Sequence, residues 1–295
     1  MMRVLVTGGG GQLGSSLRKT APAGITAFYP AKAELNLESE KSLRDFVEQN
    51  PVDFIINAAA YTKVDLAEKE KDAAFAANAT AVANLCRVCA DKKIFPVHIS
   101  TDFLFHGPLN RPIDETQAIH PLGVYAESKA AGEAALAEAK IPAAIVRTSW
   151  LYSEFGANFM KTMIRLGKEK SEVRVIADQH GSPTYAGDLA RGLWQMLSHR
   201  HKAPARAEVA EFYHFCNYGV TTWYDFTTAI LGIAGIRTPV EPILTAEYPL
   251  PTPRPAYSAL WPRKFSAEFQ FPIRHWRTAL VDAVNAHKHR EEFIL

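Results

Sequence analysis

Tyr125 and Lys129 stand four residues apart at the mouth of an alanine-rich run, "GVYAESKAAGE". A helix there sets the phenol and the ammonium on one face, within reach of a single ligand. A free phenol titrates near 10 and a neighbouring ammonium favours its ionised form, so the pair is a candidate general acid. A second group lies upstream, where "HISTDFLFHG" places Ser100 and Thr101 at the close of an apolar run. A third is the loop "VLVTGGGGQLGSSL", with Gly8, Gly11 and Gly14 spaced three apart between a strand-like and a helix-like segment. Glycine there permits a tight turn, lets backbone approach a pyrophosphate and packs the helix on its strand. The helix N-terminus meanwhile faces the phosphate charge, so a bound dinucleotide is expected.

These groups need a scaffold that brings them to one crevice. The apolar runs "RVLVTG", "ITAFYP", "VDFIINAAA", "FPVHIS" and "AAIVRTS" are short and bounded by breakers, and helix-period segments separate them. That alternation predicts an α/β fold, a Rossmann-type doubly wound parallel sheet, over residues 1–150, with strands buried on both faces. Thr101 at the end of the fourth strand then opens into the crevice where such sheets bind ligands. After Trp150 the rhythm changes. Residues 151–295 are expected to form mainly a smaller C-terminal substrate-binding lobe, with some segments free to return to the first domain. Pro249, Pro251, Pro253 and Pro255 favour an extended segment lying over a surface.

Bulk properties narrow the partners. The chain has 295 residues, 47% hydrophobic and 22% charged, with a net charge of +2. Nothing there pulls it toward nucleic acid or a membrane, and a small molecule suits it better. The apolar run at the N-terminus is too brief for a signal peptide, and no other stretch reads as a membrane span, so the expected location is cytoplasmic. Cys86, Cys89 and Cys216 are too few for a disulfide framework, and Cys86 and Cys89 read as buried small hydrophobes on a helix. An acidic residue closing the second strand would mark NAD. "ITAFYPAKAELNLES" offers Lys32, Glu34 and Asn36 instead, so NADPH is preferred and NADH stays open, Lys32 being either a 2′-phosphate ligand or a solvated loop residue.

A glycine fingerprint, a strand-end Thr and a downstream Tyr-x-x-x-Lys, in that order, resemble the short-chain dehydrogenase/reductase superfamily. Within it the chain most resembles the dTDP-4-dehydrorhamnose reductases. The resemblance is carried by "TGGGGQLG", "DFIINAAAYTKVDLAE", "ANATAVANL", "HISTDFLFHG", "PLGVYAESKAAGE", "IVRTSWLY", "NFMKTMIRL", "VIADQHGSPTYAGDLA" and "PTPRPAYSAL", nearly the whole chain. Related dehydratases carry Thr-Asp-Glu at the strand end, whereas Phe103 follows Asp102 here. Epimerases usually have Gly-Phe-Ile-Gly where this chain has Gly-Gln-Leu-Gly at 11–14. A non-catalytic alternative, a dinucleotide-binding regulatory subunit like that of methionine adenosyltransferase, is disfavoured by the intact Thr101, Tyr125 and Lys129.

The resemblance implies an NAD(P)H-dependent reduction of the C4 ketone of a dTDP-linked 4-keto-6-deoxy sugar. It makes Tyr125 the acid, Lys129 the residue that tunes it and holds the nicotinamide ribose, and Thr101 the donor to the carbonyl oxygen. Cofactor contacts would come from Gly8, Gly11, Gln12, Leu13, Gly14, Asn36, Leu37, Ala58, Ala59, Ala60 and Asn78, besides Tyr125 and Lys129. Thr62, Val64, Asp65, Asp102, Trp150 and Arg254 would join Thr101 at the sugar nucleotide. Arg254 is placed for the pyrophosphate, Trp150 either stacks on the sugar or packs in the core, and Thr62 either lines the crevice or caps a helix. Some members are described as magnesium-bridged homodimers using glutamates. Ser16 stands where they carry Glu, so a homodimer is admitted but no metal is predicted.

Overall fold

The computed structural model describes residues 1–203 and 208–292. In chain order its elements are β1 (Met2–Thr7), α1 (Gln12–Thr20), β2 (Ile25–Phe28), α2 (Glu40–Gln49), β3 (Phe54–Asn57), α3 (Val64–Ala67), α4 (Lys71–Phe75), α5 (Ala81–Lys92), β4 (Phe95–Thr101), α6 (Val124–Glu138) and β5 (Ala143–Thr148). There follow β6 (Leu151–Tyr152), α7 (Phe159–Glu169), β7 (Val173–Ile176), β8 (His180–Gly181), β9 (Thr184–Tyr185), α8 (Ala186–Lys202), β10 (Ala210–His214), β11 (Thr221–Thr222), α9 (Trp223–Ala234), β12 (Val240–Ile243), α10 (Arg263–Glu268) and α11 (Trp276–Glu292).

The main sheet runs β10-β5-β4-β3-β1-β2, every neighbour parallel. Residues of β3 and β5 are buried throughout, as continuous apolar strands between two helical layers must be. One face packs Val4, Val6, Ile56 and Val146 with Leu17 of α1 and Leu193 of α8; the other packs Leu5 and Ile55 with Leu43 of α2 and Leu85 of α5. Strand order reverses between β1 and β3, so the loops leaving these two strands flank the crevice where such sheets bind ligands.

The chain does not divide cleanly at residue 150. Strand β10 extends the sheet, and α8 and α10 contribute Leu193, Trp194 and Phe265 to the core on its α1 face. The lobe keeps a separate core in which Met160, Ile164, Phe226, Ile230, Trp276 and Leu280 from α7, α9 and α11 pack together. Residues 249–257, with their prolines, carry no regular element, and single bridges tie Tyr257 to His180 of β8 and Leu260 to Ile113.

The helix-period segment between β3 and β4 is interrupted. The run "AEKEKDAAFAANATAVANLCRVCADKK" is not one α-helix, because a π-helical turn over Ala76–Thr80 separates α4 from α5. This wider turn presses its backbone on α6, where a Cβ on Gly132 would lie 2.1 Å from the Asn78 carbonyl oxygen. By length and composition alone, Lys71–Lys92 could cross a bilayer. It is nonetheless a core helix, with Val82, Leu85, Val88 and Cys89 buried against the sheet and α6.

Candidate active site

The crevice floor is shaped by backbone. Gly8 sits at φ +68°, and a Cβ there would fall 2.7 Å from the Ala58 oxygen and the Ala59 nitrogen. The loops after β1 and β3 thus touch main chain to main chain. A Cβ on Gly14 would lie 2.3 Å from the Gly8 oxygen, while Gly11 donates its amide to that oxygen at 2.9 Å and forms the N-cap of α1. Beside them Gly10 faces open space. A cradle of small residues at a helix N-terminus fits a dinucleotide pyrophosphate.

Other expected cofactor positions are more constrained. Leu13 is buried in the core, and the Gln12 side chain accepts from Ser153 Oγ and Asn158 Nδ2, both at 3.0 Å. Both can therefore offer only backbone to a ligand. The Asn36 side chain accepts from the Glu38 amide at 3.1 Å and holds its own turn, and the Leu37 carbonyl accepts from Asn84 Nδ2 at 3.0 Å. Lys32 pairs with Glu38 at 3.2 Å on the surface. Ala58, Ala59 and Ala60 follow β3 directly, with the Ala59 amide 3.3 Å from Thr7 Oγ1. Asn78 is buried and fully engaged. Its Oδ1 accepts from the Tyr61 amide at 2.9 Å, and its Nδ2 donates to the Tyr61 carbonyl and to Ser128 Oγ, each at 3.0 Å. The π-helical turn thereby ties the loop after β3 to α6.

Thr101 ends β4 and Tyr125 lies on the first turn of α6, and both are buried. Burial pushes the Tyr125 phenol up to about 12, against the opposing pull of the Thr101 hydroxyl beside it. The lysine was expected to lower that phenol. Instead the Lys129 ammonium points back into the sheet, donating to the Ile99 carbonyl at 2.7 Å with His98 Nε2 at 3.4 Å. Burial draws Lys129 down to about 8, with Glu133 pulling the other way. Behind it lies a buried polar chain that the motifs do not announce. Thr7 Oγ1 donates to Asn57 Oδ1 at 2.7 Å, and Asn57 Nδ2 meets His98 Nδ1 at 3.0 Å. Burial and the adjacent lysine hold His98 well below its usual range, hence neutral. A histidine inside a both-faces-buried strand was the available signal.

Asp102 is buried beside Thr101, with its Oδ1 at 3.4 Å from the Thr101 hydroxyl and its Oδ2 without a partner. Burial raises its carboxyl to about 7, and the Ser258 hydroxyl from the lobe offsets part of that rise. Phe103 packs edge-on against Tyr125, ring centroids 5.5 Å apart, and also lines the lobe's cavity.

That cavity, of about 410 Å³, is walled by Trp150, Phe159, Met163, Val175 and Trp223, with Arg254 at its edge. Trp150 adopts φ +46° and stacks face to face on Trp223 at 3.5 Å and 8°. Beneath it, a Cβ on Gly181 would come within 2.4 Å of the indole, so the ring is held against bare backbone. Trp150 is therefore both packed and exposed to the cavity. Trp223 and Phe159 are the wall residues that motif reading missed, since helix periodicity assigns them to a core. Arg254 donates to Asp65 Oδ2 at 2.7 Å and to the Thr252 carbonyl at 2.9 Å. Asp65 also accepts from the Thr252 amide at 3.3 Å, so its carboxylate is spent on the proline-rich segment. Val64 is half-buried in α3 and Thr62 is exposed, Lys63 rather than Thr62 being the residue before that helix. Among the described residues no three His, Cys, Asp or Glu side chains converge as metal ligands would.

Known proteins resemble this chain in sequence and overall fold. The RmlD substrate binding domain model matches residues 2–289. The spore coat polysaccharide biosynthesis protein SpsK of Bacillus subtilis is 38% identical over 281 residues, covering 95% of this chain and 96% of its own. A dTDP-4-dehydrorhamnose reductase of Aggregatibacter actinomycetemcomitans is 37% identical over 95% of this chain and 97% of its own. The solved dTDP-4-dehydrorhamnose reductase of Bacillus anthracis, in complex with NADP, superimposes with a TM-score of 0.88 at 35% identity, covering 96% of this chain and 99% of that one. Matched along nearly its whole length by sequence and by shape, the chain belongs to the dTDP-4-dehydrorhamnose reductase family.

Proposed function

We propose that this chain reduces the C4 ketone of dTDP-4-dehydro-L-rhamnose to dTDP-L-rhamnose with NADPH or NADH. The observation that carries the reading is the meeting of Thr101, Asp102 and Tyr125 between a backbone cradle and an aromatic cavity. Gly8, Gly11 and Gly14 hold the pyrophosphate and Ala58–Ala60 let the dinucleotide lie across the strand ends. When bound, the reduced nicotinamide supplies hydride. Tyr125 gives its proton to the ketone oxygen, and Thr101 donates a hydrogen bond to that oxygen as charge gathers on it. Lys129 contributes its positive charge from below, and the side chains of Trp150 and Arg254 receive hexose and diphosphate.

A phenol at about 12 remains protonated throughout the neutral range, and a lysine at about 8 carries its charge only below that pH. Turnover should therefore fall as pH rises through about 8, and a rate flat to pH 10 would remove Lys129 from this role. The direct test follows NADPH oxidation by purified protein supplied with dTDP-6-deoxy-L-lyxo-4-hexulose. Tyr125→Phe should retain cofactor binding and lose about 10²–10⁴-fold in kcat. Wild-type protein that binds NADPH without turning over this ketosugar would overturn the assignment. The cytoplasm, a reducing compartment, suits three unpaired buried cysteines. The assembly we favour is a homodimer, checked by light scattering.

A further inference from the structure

The proline-rich segment and the acid-bearing helix meet on one small element, α3. On its first turn Asp65 holds the segment through Arg254 Nη2 at 2.7 Å and the Thr252 amide at 3.3 Å. At its C-cap, Glu68 Oε1 accepts from the Val124 amide at 2.9 Å, the first residue of α6 and the neighbour of Tyr125. Gly123 sits between the two at φ +83°, where a Cβ would fall 2.7 Å from the Thr252 methyl and 2.8 Å from Glu68 Oε1. A second route closes the circle, since the Arg254 guanidinium lies 5.6 Å over the Phe103 ring and that ring meets Tyr125 edge-on.

We infer that α3 couples the occupancy of Arg254 to the placement of Tyr125, with Asp65 a positioning residue for the guanidinium and Glu68 a positioning residue for the acid. The reasoning rests on the reductase reading above. Arg254 lines the cavity, and a diphosphate there must share the guanidinium with Asp65. Any shift of that ion pair is transmitted to Thr252, which packs on the turn that Glu68 fastens. A carboxylate accepting the leading amide also compensates the positive end of α6 and fixes the first turn on which the phenol stands. The arrangement lets the ligand's far end report its arrival to the reacting end.

Glu68→Ala should make the amides of Val124 to Ser128 exchange about tenfold faster, leaving distant helices unchanged. The same variant should lose several-fold in kcat while the KM for the ketosugar stays put. Glu68→Gln retains an acceptor oxygen and should recover both readings. Asp65→Ala should instead raise the ketosugar KM without altering NADPH affinity measured by fluorescence. Unchanged exchange at the start of α6 in Glu68→Ala overturns the coupling whatever the turnover, as does faster exchange spread evenly over the protein. Wild-type protein lacking turnover sinks the reductase reading alone, because the exchange experiment needs no substrate.

Discussion

The two walls of the crevice are built on different principles. At the glycine loop the surface is main chain: a Cβ on Gly8 or Gly14 would strike backbone at 2.7 or 2.3 Å, and the contact with the loop after β3 is backbone on backbone. At the lobe's cavity it is side chain: Trp150 before β6, Phe159 and Met163 of α7 and Trp223 of α9 set the cavity's shape. A backbone surface tolerates almost no substitution and presents the same donors to any dinucleotide. One made of side chains can be re-cut without disturbing the strands below it.

Asp102 stands at the seam, and it offers the largest effect. Its carboxyl is raised from an ordinary 3.8 to about 7 because both halves bury it. A raised acid favours the folded state while protonated. Its contribution is complete below about pH 4 and is lost as pH rises through about 7. Asp102→Asn should remove that loss, gaining up to about 4 kcal/mol over the wild type above neutrality, read as thermal stability against pH. Parallel curves for the two proteins from pH 4 to 8 would place Asp102 outside the seam and weaken the contrast between the walls.

Gly14→Ala tests the backbone wall. Its Cβ meets the Gly8 carbonyl, which cannot swing aside as a flexible side chain would. A cost of about 1–3 kcal/mol is expected, appearing as a lower melting temperature and roughly tenfold or more weaker NADPH binding. Retained affinity would mean that the loop gives way more easily than its packing suggests.

The contrast also explains what could be read from the sequence. Gly8, Gly11 and Gly14 were legible because close backbone approach leaves its mark in residue size and spacing within one short loop. Strands β1, β3, β4 and β5 were legible because burial on both faces writes continuous apolar runs, whereas β2, at the sheet edge, is only half-buried. By contrast, Trp223 and Phe159 sit on helices whose apolar periodicity looks the same whether a ring faces a core or a cavity. Nor could spacing reveal that Lys129 turns toward Ile99 rather than toward the phenol: one helical turn aligns the two Cβ atoms, and the carbonyl it finds comes from another element. The engagement of Arg254 by Asp65 joins residues 189 apart in the chain, a pairing set by how the proline-rich segment folds back onto α3.

Trp223→Leu gives the smallest expected effect and the sharpest separation of the two walls. Trp223 opens α9, whose N-cap Thr222 accepts from the Asp225 amide, and its indole is the face on which Trp150 lies. Leucine stays apolar but is much smaller, and the stacked pair it forfeits is a loss of about 0.5–1.5 kcal/mol beyond the reduced burial. Trp150, at a left-handed backbone position, should then lose the stacked ring that aligns its plane, keeping Gly181 beneath it and the tilted Phe226 ring at 6.5 Å. The ketosugar KM should rise by about two- to tenfold while NADPH affinity and the exchange of α6 amides remain as in the wild type. An equal loss of NADPH affinity would show that the aromatic wall and the glycine wall respond as one body, and the division between them would fall.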